Sequence, residues 1–245
     1  MHPMQKNARV AGWLYLSVVL TGPFVLLYVP GKLFVPGNAT ATASSILAHQ
    51  SLFQAYIVGG FVLESLFILT VLALYRLLKG VNLQLATLMV ILVLLDAPLS
   101  FASIASEVAT LTFVRGADFL AVFDKPQRDA LAPLFINVER QRTLVEIFWG
   151  LWLLPLGLLV YRSGFLPRLL GVWLLINGLA YLAQSATGLL LPQYLKLVST
   201  IASPVLFGEV ALMLWLLIVG ARGLSSPVAA SRPRGAGRRG LRSEA

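Results

Sequence analysis

Four acidic side chains stand inside long apolar runs: Glu64 near the middle of the second run, Asp96 near the middle of the third, Glu146 in the fourth and Glu209 in the sixth. A charged group at the centre of a bilayer-spanning helix costs roughly 2.5–3.5 kcal/mol on insertion scales, so four facing lipid would cost on the order of 10 kcal/mol. They must therefore face protein or a water-filled space. Carboxylates placed this way can relay protons, attract cations or pair with a counter-ion. In the third run Asp96, Ser100, Ser103, Glu107 and Thr110 recur at steps of three and four, which draws one polar stripe along a helix. Glu107 would sit at the mouth of that stripe. Glu139, Arg142 and Glu146 repeat the same spacing along the fourth helix, from just before its apolar run into it, so Arg142 can neutralise either carboxylate.

Other chemistries find less support. The two histidines, His2 and His49, lie outside every apolar run, and no H-E-x-x-H pair exists to hold zinc. No G-x-S-x-G elbow occurs. The absence of cysteine excludes disulfides, thiolate nucleophiles, iron–sulfur clusters and cysteine-ligated metals. No cofactor, no metal and no catalytic residue is expected, and enzymatic chemistry ranks third among the readings.

The elements that must hold these groups are membrane helices. Of 245 residues 58% are hydrophobic and 12% charged, against roughly a quarter charged in soluble domains. Six apolar runs, 8–30, 53–75, 82–106, 143–161, 169–191 and 198–221, each match the about 20 residues that cross a bilayer. The predicted fold is an all-α, polytopic transmembrane bundle of about six spans over residues 1–221. The first run follows Lys6 and Arg9, but its uncharged stretch is too long for a cleaved signal and reads as a retained helix. Residues 31–51, rich in Gly, Asn, Thr, Ala and Ser, read as a loop with helical character near 45–50. Asp124, Pro126 and Gln127 spell a helix start, giving a short extracytoplasmic helix over about 125–140 that Pro133 should bend or offset from the fourth span.

Charge sets the orientation. Twelve of the 19 Lys and Arg residues, among them Lys6, Arg9, Arg76, Lys79, Arg162 and Arg168, fall on one side together with the tail. Cytoplasmic loops retain such residues, so both termini are predicted to be cytoplasmic. The formal charge of +9 is concentrated in residues 222–245, where six arginines face one glutamate. That Ser-, Pro-, Gly- and Arg-rich stretch is predicted to be disordered. It serves as a topology anchor, and anionic lipid is a further partner it could bind. Nucleic acid is not expected as a partner, and the oligomeric state is not encoded legibly.

Small and kinking residues complete the pattern. Gly150 and Gly157 on one span, and Gly171, Gly178 and Ser185 on the next, form seams that permit close helix contact. Asn177 and Gln184 run beside the second seam. Pro98 lies two residues after Asp96 and Pro204 five before Glu209, each freeing a backbone carbonyl as in the discontinuous helices of transporters.

The runs TGPFVLLYVPGKLFVPGNATAT (21–42), IFWGLWLLPLGLLVYRSGFLPRLLG (147–171) and GEVALMLWLLIVG (208–220) resemble those of a prokaryotic multi-pass membrane family, the domain of unknown function 4386 family. The resemblance implies an integral protein of a prokaryotic plasma membrane and transfers no activity, substrate or site. The expectation from the residues themselves is a cavity lined by Glu64, Asp96, Glu107, Glu146 and Glu209, with Arg142 as counter-ion, which moves or senses a cation, proton or small polar solute. The rival is a non-transporting assembly partner whose polar groups fix helix contacts, followed by an intramembrane enzyme.

Overall fold

The computed structural model describes residues 3–135 and 138–221, with side chains described except at 133–144. The arginine-rich tail and its predicted disorder lie outside the described residues, as do the side chains of Glu139, Arg140 and Arg142.

Among the described residues every regular element is a helix. Helix α1 (Pro3–Leu33) carries a π-helical turn at Phe24–Tyr28, where the Val29 N–H donates to the Phe24 carbonyl five residues back. Pro23 immediately before it supplies the cause: it has no N–H, and its ring crowds the preceding turn, so the helix widens rather than continuing at regular pitch. Residues 39–48 form α2 (Ala39–Ala48), capped by the Asn38 side chain accepting from the Ala41 N–H at 2.9 Å. Most of the segment read from sequence as loop is therefore helical, α1 running on to Leu33 and α2 burying Thr42, Ala43 and Ile46. Tertiary burial of that face outweighs the weak helix preference of its Thr and Ser residues.

Then follow α3 (Gln50–Leu78) and α4 (Leu83–Arg115). At 1.5 Å per residue α4 is about 50 Å long, well beyond the about 30 Å of a hydrocarbon core. It runs unbroken through Pro98 and ends at Gly116, whose φ of +74° closes the helix in the left-handed region. Helix α5 (Lys125–Phe135) starts with a reciprocal cap: Gln127 N–H donates to Asp124 Oδ1 at 2.8 Å, and Asp124 N–H to Gln127 Oε1 at 3.0 Å. Helix α6 (Val138–Arg162) and α7 (Arg168–Leu190) pack along their glycine seams. A Cβ on Gly150 would lie 2.7 Å from the Gly178 carbonyl oxygen, and one on Gly171 would lie 2.7 Å from that of Gly157. The two seams are thus in backbone contact, as small residues allow inside a membrane.

The last apolar run is broken. Helix α8 (Leu195–Ala202) and α9 (Gly208–Ile218) belong to segments that meet at an angle of 50° across Ser203–Pro204. Five helices are long and apolar enough to cross a membrane, or six if the bent pair is one crossing. Their outer faces carry exposed Leu20, Val58, Leu69, Leu95, Ile176 and Ile218, the surface that lipid covers. The molecule is a multi-pass integral membrane protein.

Two apolar clusters hold the bundle. One gathers Tyr15, Leu74, Leu78, Met89, Trp152 and Leu212; the other gathers Val29, Leu33, Ile46, Phe53, Tyr56 and Val114, where α2 and α5 close one end. On α3 the second cluster ends near Tyr56 and the first resumes at Val71; on α4 the first ends at Val93 and the second resumes at Leu111. Glu64, Asp96 and Glu107 fall in the intervals.

Candidate functional site

Two cavities occupy that middle zone, each of about 140 Å³. The first is bounded by the π-turn of α1, by Tyr56, Gly60 and Glu64 of α3, by Ser100, Ser103 and Glu107 of α4, and by Val145 and Trp149 of α6. The second continues from Glu64 to Glu209, between Val18 and Gly22 of α1, Phe67 of α3, Trp152 of α6 and Tyr181 of α7. Leu26, Leu63, Glu64 and Trp149 line both, so the cavities abut at Glu64.

The π-turn explains one wall. It rotates Val25 and Leu26 relative to the helix before Pro23, and both then line the first cavity. Spacing explains the other walls. Tyr56, Gly60 and Glu64 recur every four residues on α3, and Ser100, Ser103 and Glu107 repeat at three and four on α4, so each set shares one helix face. The predicted polar stripe divides: its middle lines the cavity, Asp96 is buried behind Trp149, and the Thr110 hydroxyl turns to the Ala132 carbonyl of α5 at 3.4 Å.

Glu64 is 8% exposed, and its Oε1 is buried without a hydrogen-bond partner; Ser100 stands beside it. Asp96 is 1% exposed with both carboxylate oxygens unpartnered, within electrostatic reach of Glu64. Glu107 has Tyr56 beside it and an unpartnered Oε2. Such groups are costly in a low-dielectric interior. Among the described residues, no Lys, Arg or His lines either cavity.

Glu209 is held differently. It stands in the first turn of α9, beside the break. Tyr15 Oη donates to its Oε2 at 2.5 Å, Asn177 Nδ2 reaches its Oε1 at 3.5 Å, and Tyr181 lies close by. At the break α7 adds side-chain donors: Trp173 Nε1 donates to Val205 O at 2.9 Å, which also accepts the Gly208 N–H, and Asn177 Nδ2 reaches Leu206 O at 3.5 Å.

Of the residues singled out from sequence, Glu64 and Glu107 line the first cavity, Glu64 and Glu209 the second, and Asp96 adjoins Glu64. Glu146 is buried on α6, one turn from Trp149, and is not among the residues lining either cavity. The Arg142 side chain lies outside the described residues. Trp149, Tyr181 and Tyr15 were not singled out from sequence, because an aromatic in a membrane helix is as readily core or interfacial belt as site. Among the described residues, no three His, Asp or Glu side chains cluster as a metal ion would require.

A family model described as a domain of unknown function (DUF4386) matches residues 10–220. The chain belongs to that family. DUF4386 is found in prokaryotic proteins, and its match takes in the π-turn, both cavities and the broken helix while stopping short of the arginine-rich tail. Neither a curated protein nor a solved structure matches the chain.

Proposed function

We propose that this DUF4386 protein moves or senses a small cation, the proton included, through the paired cavities that meet at Glu64. One observation carries the reading: the carboxylates of Glu107, Glu64 and Glu209 succeed one another along two abutting, largely apolar cavities, with no basic side chain among their described walls. Low-dielectric surroundings strengthen the field of such acids, which favours cations and repels anions. Retention of positive loops in the cytoplasm supports placing both termini there and the Glu107 end outside. Glu64 is then the group that cargo from either side must pass. The bent helix beside Glu209 resembles in kind the discontinuous helices on which transporters build midplane sites.

The structural alternative has its own observation: Glu209 is bonded to Tyr15 and Asn177, as a group that only ties helices together would be. Reconstitution separates the two readings. Proteoliposomes energised with a potassium diffusion potential, and containing a pH-sensitive dye, should show cation-dependent flux in the wild type. Glu64→Gln should abolish that flux while leaving the melting profile intact. Absence of wild-type flux for protons and for a panel of inorganic and organic cations would leave the structural reading standing.

A further inference from the structure

The second cavity has a composition that a proton path alone does not require. Four of its wall residues are aromatic, Phe67, Trp149, Trp152 and Tyr181, with Glu64 and Glu209 between them. The rings brace one another edge-on, Phe67 against Trp152 at 5.1 Å and Trp149 against Tyr181 at 5.8 Å between centroids. Aromatic faces joined to a carboxylate make the environment that attracts an alkylated ammonium ion, because the ring quadrupole favours a cation that carries little hydration. A bare metal cation fits less well: hard cations take roughly six to eight oxygen ligands, and this cavity offers two carboxylates among largely apolar walls.

Size and charge narrow the ligand. The cavity is about 140 Å³, close to the about 150 Å³ of an apolar cavity that holds benzene and below the roughly 300 Å³ where drug-sized pockets begin. Glu209 already receives the Tyr15 hydroxyl. Glu64 keeps Oε1 unpartnered while 8% exposed, and it borders the cavity. It is the available counter-charge.

We infer that the second cavity binds a small organic ammonium ion, of tetramethylammonium to choline size, held by the Trp149, Trp152 and Tyr181 rings with Glu64 as its counter-ion. This names a cargo for the cation reading above and rests on it for the route of entry, whereas binding can be measured without transport.

Titration of the purified full-length protein, followed by tryptophan fluorescence at constant ionic strength, tests it. Tetramethylammonium and choline should give saturable changes that sodium does not. Dimethylbutanol, the neutral carbon isostere of choline, should give none at equal concentration. Glu64→Gln should weaken choline binding by about tenfold or more, the scale of one lost contact to a desolvated cation. Equal responses to choline and its neutral isostere, or to tetramethylammonium and sodium, overturn the site. The wild-type comparison decides this even if Glu64→Gln fails to fold. Ammonium binding without flux of any cation leaves the site standing and removes transport; proton flux without ammonium binding does the reverse.

Discussion

The Tyr15 hydroxyl donates to Glu209 at 2.5 Å, joining the first membrane helix to the last across 194 residues of sequence. Nothing local fixes that pair, so it closes the bundle at the level of the second cavity. Polar contacts between membrane helices are worth about 0.6 kcal/mol on average and up to about 1.7. Tyr15→Phe and Glu209→Ala should each lower thermal stability in detergent. A double-mutant cycle should return a coupling of about 1 kcal/mol. Strict additivity of the two changes would show that the bond contributes nothing to stability.

The α6–α7 seam should be the least tolerant surface in the protein. Gly150 and Gly178 each place a missing Cβ 2.7–2.8 Å from the other's carbonyl oxygen, and neither backbone can yield without moving its helix. Gly178→Ala is therefore expected to destabilise by about 1–3 kcal/mol, the cost of overpacking. Gly80→Ala, where a Cβ meets nothing within 4 Å, is the matched control and should be neutral within about 0.5 kcal/mol. Melting temperatures of the two variants in one detergent give the comparison.

The limits of sequence reading follow from the same features. Apolar run length reports membrane helices directly, because a bilayer leaves backbone polar groups no partner but their own helix; the helical bundle was legible for that reason. Seam glycines at intervals of seven were visible too, although the sequence could not say that Gly150 would face Gly178. What stayed hidden depended on partners distant in sequence. Residues 31–51 read as a loop with helical character only near 45–50, and the helix over 39–48 shows only once Thr42, Ala43 and Ile46 are buried. Pro204 marked a freed carbonyl, which the Ser203 hydroxyl takes at Thr200 O, but the Trp173 and Asn177 donors that reach the 50° bend come from another helix. Glu146 shares the burial of the other acids without bordering either cavity, a distinction that depends on helix rotation rather than on residue type.

The break before α9 makes Trp173 a structural pin. Its indole N–H donates to Val205 O at 2.9 Å, and its ring lies where a Cβ on Gly208 would be, 2.9 Å from Cδ1. Trp173→Phe keeps most of the packing and removes the indole donor, leaving Val205 O with the Gly208 N–H alone. The expected cost is about 0.5–1.5 kcal/mol, the net worth of one hydrogen bond, read as a lower melting temperature. Hydrogen exchange should also become faster around 203–209. Unchanged exchange there would mean that the bend holds without this bond.

Trp149 is the residue whose loss should change permeation most. With Leu26 and Leu63 it forms the apolar part of the boundary that both cavities share, the remaining wall being Glu64. Its ring is edge-on to Tyr181 at 5.8 Å, so its position is fixed from α7. Removing it would join the two cavities into one continuous space, and water entering that space would connect Glu107 with Glu209. On the proposed function, Trp149→Ala should raise uncoupled proton leak in proteoliposomes several-fold. Trp149→Phe, which preserves a ring at the constriction, should leak little more than the wild type. Glu64→Gln added to Trp149→Ala tells whether protons then still need the carboxylate or pass through water alone. Equal tightness of Trp149→Ala and the wild type would mean that the boundary between the cavities is not set by this ring.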